Sequence, residues 1–425
     1  MKYKKHNLGK YNLHIITTNR FKKVSVMINF KRKINKEDMT IRRLLSDCLL
    51  ESSLKYPSRR LIDMEVEDLY GISITSNAYT SGNYDILSFK STFLNEEFTE
   101  VGMNKKSILF MLELLLNPDA SNNSFNKYGF DLGKRIIKNE IDTFREYPPN
   151  YAHQRMLEVM DKKSPLSYRG CGYIKDLNKV TPKKLYNYYK SVINEDIIDI
   201  VVIGNINEEE IINLFKENFT RLNNNPSSES HFIKLTTKKV KEKVEKSHIN
   251  QSRLVVGCTV DIESVKEMQY ALNFYSFILG GSGDSLLFKN VREKNSLCYH
   301  ISSSYNIISN LLTIKAGIDA VNKDKTIMLI KKCMEDIKNG NFDDIEIEKA
   351  RTIYKNSCIE MLDNEASIMN NYMSHEYLDT DLLEDRIKYI DKITKEDVIN
   401  VASKVKINTI YMLEGDLKWL KNLKN

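Results

Sequence analysis

Two side chains in the second half of the chain have types that could act together in chemistry. Arg292 offers a cation and Tyr299 offers a phenol, seven residues further on. Apolar residues at 286, 287 and 291 have helical spacing, which predicts a helix that carries Arg292. The loop before this helix is rich in glycine and serine, and its glycines are Gly280, Gly281 and Gly283.

Tyr299 lies in a segment with the pattern of a strand. Apolar and polar residues alternate from Leu297 to Ser302, and the apolar segment Leu311–Gly317 follows after a polar turn. The glycine loop, the helix and this strand could place a cation, a phenol and free backbone N–H groups on one concave wall. The loop alone is weak evidence, because glycines also form plain turns between helices.

Most other active-site patterns are missing from the sequence. The 7 histidines contain no pair spaced three or four residues apart, and the HExxH that begins at His375 fails at Asp379. Neither a GxSxG turn nor a GxxxxGK phosphate loop is present. The sequence therefore argues against an intrinsic zinc hydrolase, a serine hydrolase of this kind and a P-loop enzyme.

The composition is that of a globular protein with room for more than one core. The chain has 425 residues, of which 41% are hydrophobic, and a net charge of +7 from 64 basic and 57 acidic residues. Such a small excess is not the basic stripe of a nucleic-acid-binding protein. The N-terminus lacks the apolar stretch of a signal peptide, and no segment has ~18 apolar residues in a row. We therefore expect a soluble, cytoplasmic protein without a membrane span.

The first half of the sequence predicts alternating strands and helices. Strands are predicted at 12–17 and 23–30, a helix at about 36–53, and a β-hairpin with strands at 72–79 and 84–93. A long helix is predicted at 125–144, before Pro148 and Pro149. A further helix after Pro182 leads to a strand at 198–203 that ends at Gly204.

The same order of elements occurs twice. Helix, polar turn, strand and glycine near Val180 are repeated near Ile393, and the hairpin near Leu69 is repeated near Leu297. We infer an internal duplication with a period of roughly 200 residues. The predicted fold is α/β, with two homologous halves, each a mostly antiparallel sheet with helices packed on one face. The predicted domains are 1–222 and 248–425, and the Asn-, Ser- and Lys-rich segment 223–247 is the predicted linker, with one edge strand possible inside it.

The run LGGSGDSLLFKNVREKNSLCY, residues 279–299, resembles the second half of the zinc metallopeptidases grouped as the insulinase, pitrilysin and mitochondrial processing peptidase family. The segment Leu44–Asp85, with KYPS and LYG, and the segment Ile393–Gly415 are similar to the same family. Within the family the chain resembles a bacterial type that lacks the zinc-binding signature and is encoded beside an intact relative.

The resemblance implies that the zinc site is degenerate. Family members carry HxxEH on the first helix, where two histidines bind zinc and the glutamate is the general base. Aligned through KYPS, these places fall at Arg43, Ser46 and Asp47, and the third ligand, a glutamate, at Glu140. An arginine has no lone pair to offer a metal. We expect Glu140 to accept a charge-assisted hydrogen bond from Arg43, in the place that zinc would occupy.

The resemblance also gives Arg292 and Tyr299 a role. In the family these positions bind the substrate backbone and the scissile carbonyl, and the glycine loop belongs to the same substrate-binding region. The alternatives are that Arg292 forms a salt bridge with a neighbouring acid and that Tyr299 only packs in its strand.

Three functions follow from these expectations. The first is a non-catalytic subunit of a heterodimeric metallopeptidase, which supplies substrate-binding residues to a homologous HxxEH-bearing partner. The second is a peptide-binding scaffold without a proteolytic role, and the third, an active single-chain peptidase, is disfavoured by the missing ligands. The chain itself should hold no cofactor, with zinc only in the partner subunit.

Overall fold

The computed structural model describes residues 1–235 and 239–415. Residues 236–238 of the predicted linker and the last ten residues of the predicted second domain, 416–425, lie outside the described residues. The chain divides into two compact units, of which the first is Met1–Thr143 with Arg169–Ser230. The second contains Phe144–Tyr168 and the chain from His231 onward. The sequence had placed all of 1–222 in one domain, whereas residues 144–168 group with the second unit.

The strands alternate with helices in both units. Up to residue 230 the strands are β1 (Lys2–Asn7), β2 (Asn12–Thr17), β3 (Lys23–Lys33), β4 (Ser73–Ser81), β5 (Tyr84–Leu94), β6 (Ala120–Ser121), β7 (Ser124–Phe125) and β8 (Ile197–Gly204). After residue 230 they are β9 (Lys241–Ser247), β10 (Ser252–Val260), β11 (Cys298–Asn306), β12 (Leu311–Ile318) and β13 (Val405–Gly415). The strand β9 lies inside the predicted linker, in which the sequence allows one edge strand.

The α-helices up to residue 230 are α1 (Met39–Cys48), α2 (Arg59–Asp68), α3 (Met103–Leu116), α4 (Lys127–Thr143), α5 (Pro148–Met160), α6 (Ile174–Leu177), α7 (Pro182–Glu195) and α8 (Glu208–Asn218). Those after it are α9 (Val265–Gln269), α10 (Ala271–Ser276), α11 (Lys323–Lys338), α12 (Asp344–Met361), α13 (Glu365–Leu378), α14 (Leu383–Ile390) and α15 (Lys395–Ser403). Short 3₁₀ turns occupy Glu96–Phe98, Phe144–Glu146, Pro165–Ser167 and Ala320–Asn322. Two π-helical turns occupy Phe277–Gly281 and Phe288–Glu293.

The two large sheets have the same strand order. The first reads β1-β2-β8-β3-β5-β4 and the second, from its opposite end, reads β9-β13-β10-β12-β11. In each sheet one pair is parallel, β2 with β8 and β13 with β9, and the other pairs are antiparallel. The α/β fold with mostly antiparallel sheets and two homologous halves is therefore confirmed, with β1 as an addition to the first sheet.

Burial explains why these segments are strands. The strand β8 is apolar except for Asp199 and is buried along its whole length, as expected for a strand covered on both faces. In the first unit, β2, β3, β5 and β8 share one core with the helices α1, α3, α4 and α7. In the second unit, one face of the sheet packs on helices α10, α11, α12 and α15, and α5 packs on part of the other face.

Candidate functional site

Helix α1 carries three of the positions predicted to be a degenerate zinc site, and α4 carries the fourth, Glu140. Arg43, Ser46 and Asp47 have the spacing that puts side chains on one helical face. Arg43 Nη1 donates to Ser46 Oγ at 2.9 Å and to Asp47 Oδ1 at 2.6 Å, and Arg43 Nη2 donates to Glu140 Oε1 at 3.0 Å. The predicted ion pair between Arg43 and Glu140 is thus present.

A glycine on α4 lets Glu140 come this close. A Cβ at Gly133 would lie 3.0 Å from Cys48 Sγ and 3.2 Å from Leu44 Cδ1, so a larger residue would push α4 away from α1. The close packing of the two helices sets the distance between Arg43 and Glu140. Because both helices belong to the first unit, this cluster is complete within that unit.

The charges of the cluster favour an ion pair over a metal site. Burial would lower the pKa of Arg43, but Asp47 and Glu140 outweigh this effect and raise it. Burial raises the pKa of Asp47, and Arg43 offsets part of that rise. A zinc site needs about three ligands, and an arginine between two carboxylates does not fit one. In the described part of the chain, no group of three or more His, Cys, Asp or Glu is arranged to hold a metal ion.

The neighbouring residue, Arg42, anchors α1 from the other side. Its side chain is fully buried and donates to Asp196 Oδ2 at 2.7 Å and to Tyr188 Oη at 3.3 Å. Asp85 lies 3.6 Å from the guanidinium. Sequence reasoning missed this network, although an arginine next to the apolar positions of a helix was a signal for it.

The glycine loop has a mainly structural role at two of its positions. A Cβ at Gly280 would lie 2.7 Å from the backbone nitrogen of Ser303 on β11, and one at Gly281 would lie 2.9 Å from Phe277 Cδ1. Gly280 therefore lets the π-helical turn approach the sheet. Gly283 has no heavy atom of the described residues within 4 Å of its Cβ position and is exposed, so it is the position of the loop that a ligand could approach.

A cavity opens beside Gly283. Its volume is about 650 Å³. Helix α12 forms its opposite wall, and Lys349 on that helix pairs with Asp284 at 2.9 Å. The loop thus borders a space of the size that small-molecule and peptide side-chain sites have.

Arg292 lies exposed on the second π-helical turn. Its guanidinium stacks on the ring of Phe288, 4.5 Å from the ring centroid. No carboxylate among the described residues forms an ion pair with it, so the alternative of a salt bridge is not what the structure has. The cation is held in place by an aromatic ring and keeps its N–H groups available for a ligand.

Tyr299 is also exposed. Its exposed fraction is 83%, and it is the extra residue of a β-bulge, because Cys298 pairs with Ile318 and His300 with Gly317. Bulges often redirect a side chain next to a functional site. The alternative that Tyr299 only packs in its strand is not what the structure has, although its role in binding stays a prediction.

One feature of the first sheet was not singled out from the sequence. Its two outer strands differ in charge, since β1 reads KYKKHN and β4 reads SITSNAYTS. Lysines on an edge strand protect it from pairing with another chain, and β4 has none. Strand β4 is nine residues long, pairs on one side with β5, and packs near α1, which carries Arg43. Its other side is suited to pairing with an extended peptide.

Known proteins resemble this chain over most of its length. Residues 179–354 match the family model described as "Peptidase M16 inactive domain". The chain is 25% identical over 417 residues to "Probable inactive metalloprotease YmfF" of Bacillus subtilis, which covers 96% of both chains. It is 26% identical over 282 residues to "Uncharacterized zinc protease YmxG" of the same species, which covers 65% of both.

A solved structure agrees with these relatives. A conserved protein from Enterococcus faecalis superposes with a TM-score of 0.91 and 28% identity, over 98% of this chain and 99% of the other. The resemblance to the zinc metallopeptidases, and to their inactive type, is confirmed. In the described part of the chain, no helix is both long and apolar enough to cross a membrane.

Proposed function

We propose that this chain, an inactive relative of the M16 metallopeptidases, is the non-catalytic subunit of a two-chain peptidase. It supplies substrate-binding residues, and an HxxEH-bearing homologous partner supplies zinc and the general base. The observation that supports the proposal is that Arg292 and Tyr299 are both exposed, while Arg43, aligned with the first zinc ligand of the family, donates to Glu140.

The contrast between the two regions supports this division of labour. In the first unit, the guanidinium of Arg43 pairs with Asp47 and Glu140, so these predicted zinc-site positions are engaged in an internal ion pair. In the second unit, Arg292 and Tyr299 expose polar groups that a peptide carbonyl could accept from.

The proposal is tested by assaying three samples for peptide hydrolysis and zinc: the chain alone, the intact relative alone and an equimolar mixture. We expect no stoichiometric zinc and no cleavage from the chain alone, and a higher turnover in the mixture than in the relative alone. Equal turnover with and without this chain, under conditions where both proteins are folded, would contradict the role of a subunit.

A second function is favoured by the uncharged edge of β4. Without a proteolytic partner the chain could bind an extended peptide along this strand, as a scaffold protein does. Binding of peptides by the isolated chain, together with no effect on the relative's turnover, would favour this function over the first. A cytoplasmic location stays a prediction in both cases.

A further inference from the structure

Helix α5 covers only part of one face of the second sheet. It packs against β10 and β13, and its apolar contacts there include Val255 and Tyr411. Gly257 lets it lie close to the sheet, because a Cβ at that position would be 2.5 Å from Met156 Sδ. The neighbouring part of the same face, on β12 and β11, carries polar side chains.

The strand register places three basic side chains on that face. Val255 is paired with Lys315, and Lys315 with Ser302 on β11. Two residues along the strands, Arg253 is paired with Gly317, and Gly317 with His300. Because alternate residues of a strand share a face, Arg253, Lys315 and His300 lie on the face that carries Val255 and α5.

These side chains lack an acidic partner among the described residues. Arg253 and Lys315 are half-buried and form no ion pair, and Arg253 Nε is buried without a hydrogen-bond acceptor. Other half-buried cations of this unit are paired, such as Lys289, which lies 2.7 Å from Glu346. Partly buried cations normally have a counter-charge, and Arg253 and Lys315 lack one among the described residues.

The electrostatic surroundings agree with a missing anion. Burial lowers the pKa of Lys315, and no carboxylate in the described part of the chain opposes the shift. On α5, burial and the charge of Lys315 lower the pKa of His153 to about 4. His153 is therefore neutral at pH 7, and the positive charge of the region comes from Arg253 and Lys315.

A glycine makes room for the guanidinium. A Cβ at Gly317 would lie 2.9 Å from Arg253 Nη1 and 2.6 Å from Gln251 Oε1, so any larger residue would displace these side chains from the sheet. The backbone at this point is thus suited to holding Arg253 flat against β12, beside Lys315.

We propose that Arg253 and Lys315, with His300 at the exposed end, form a binding site for an oxyanion, that is, a carboxylate or phosphate group. Arginine offers parallel N–H donors to two oxygens, and lysine adds a compact charge. In the peptide-binding role proposed above, on which this part rests, the ligand is a carboxylate of the bound peptide.

The test uses the full chain at low salt and three probes. They are a fluorescent ten-residue peptide with three glutamates, the matched peptide with three glutamines, and inorganic phosphate as a competitor. The variants Arg253→Gln and Lys315→Gln remove the charges, and Lys325→Gln, an exposed lysine on α11, removes the same charge elsewhere. Thermal unfolding of each protein, with and without phosphate, checks folding and gives a second measure of anion binding.

We expect each site variant to bind the glutamate peptide about ten-fold more weakly or worse than the unmodified chain does, since a charge-assisted hydrogen bond is lost. The glutamine peptide and the control variant should show no such loss. Phosphate should compete with the glutamate peptide and should raise the unfolding temperature of the unmodified chain more than that of the site variants.

Other outcomes separate the site from the proposed function. If the chain binds phosphate through Arg253 and Lys315 but binds neither peptide, the result would support the oxyanion site and count against the peptide-binding role. Equal binding of both peptides to the unmodified chain and to the site variants would overturn the oxyanion site and leave the peptide-binding role intact. No binding of phosphate or of the glutamate peptide would also overturn the site.

Discussion

Arg42 and Arg43 are neighbours in sequence and have opposite roles. Arg42 points into the core of the first unit and pairs with Asp196, and Arg43 lies on the other side of α1, between Asp47 and Glu140. The sequence predicted the second contact through a family resemblance. It could not predict the first, because the partner is 154 residues away and the pairing depends on the folded core.

Restoring one zinc ligand should not restore a zinc site. Arg43→His would provide one imidazole, but Ser46 and Asp47 would still lack the base and the second imidazole. We expect no stoichiometric zinc by elemental analysis of this variant. The matched variant that combines Arg43→His, Ser46→Glu and Asp47→His restores the two imidazoles and the general base, with Glu140 as the third ligand. Of the two variants, this is the one in which we expect zinc. Zinc near one equivalent in the unmodified chain would contradict the account of this site.

The buried pair of Arg42 and Asp196 should be important for stability. Both side chains are fully buried, and removal of one partner from such a pair typically costs about 3–5 kcal/mol. Asp196→Asn should lower the free energy of unfolding by this amount, measured by urea denaturation of the first unit's transition. A loss below about 1 kcal/mol, the usual value for a surface pair, would show that Arg42 finds another partner.

Titration of Asp85 should make the free energy of unfolding depend on pH, and the direction of its pKa shift gives the sign. Burial raises its pKa to about 6, and Arg42 opposes part of the rise. Because the folded state holds the proton more tightly than the unfolded state, this group favours folding below about pH 4, and the contribution is lost as the pH rises through about 6. Asp85→Asn should therefore gain stability relative to the unmodified chain between pH 4 and pH 7. A difference in unfolding free energy that is constant over this range would argue against the shift.

Most of the strands could be predicted from turn residues at their ends and from the alternation of apolar and polar residues. The strand β2 and the hairpin of β4 and β5 follow from β-branched and apolar residues bounded by turns. The strand β1 was not predicted, because its lysines and polar residues have little apolar alternation. The grouping of α5 with the second unit was not predicted either, since an apolar helix face does not show which sheet it will cover.

The edge of β4 can be tested by proline substitution at two neighbouring positions. In an antiparallel edge strand, the N–H groups of adjacent residues point to opposite sides, so one of Asn77 and Ala78 bonds to β5 and the other points outward. Asn77→Pro and Ala78→Pro should therefore differ, with one destabilising the sheet and the other leaving it stable. The stable variant should bind an extended peptide at least roughly three-fold more weakly, since one hydrogen bond is lost.

Fluorescence anisotropy with an extended peptide, together with thermal unfolding of both variants, makes this measurement. Thr220→Pro, at an exposed position outside the sheet, is the control for a proline in the same unit. Unchanged peptide affinity in the stable β4 variant would show that peptides do not pair with this edge.

For the whole molecule, the repeated strand order fits the duplication inferred from the sequence. The same order β2-β8-β3-β5-β4 and β9-β13-β10-β12-β11 places a hairpin at the equivalent edge of each sheet. The edge hairpin of the first unit contacts α1, which carries Arg43, and that of the second unit carries Tyr299. The sequence could locate both hairpins, but the exposure of Tyr299 depends on a bulge that no local pattern predicts.

In the proposed two-chain peptidase, Tyr299 and Arg292 act on a substrate bound at the partner's zinc. The most direct test compares the unmodified chain with Tyr299→Phe and Arg292→Ala, each assembled with an unaltered HxxEH-bearing partner. If Tyr299 donates to the developing oxyanion, its loss should reduce kcat by about a hundred- to a thousand-fold, or roughly 2.7–4 kcal/mol, with assembly intact. Arg292→Ala should mainly raise KM, because a cation that holds peptide carbonyls binds ground and transition states alike. Normal assembly with unchanged kcat and KM in both variants would contradict this role of Tyr299 and Arg292.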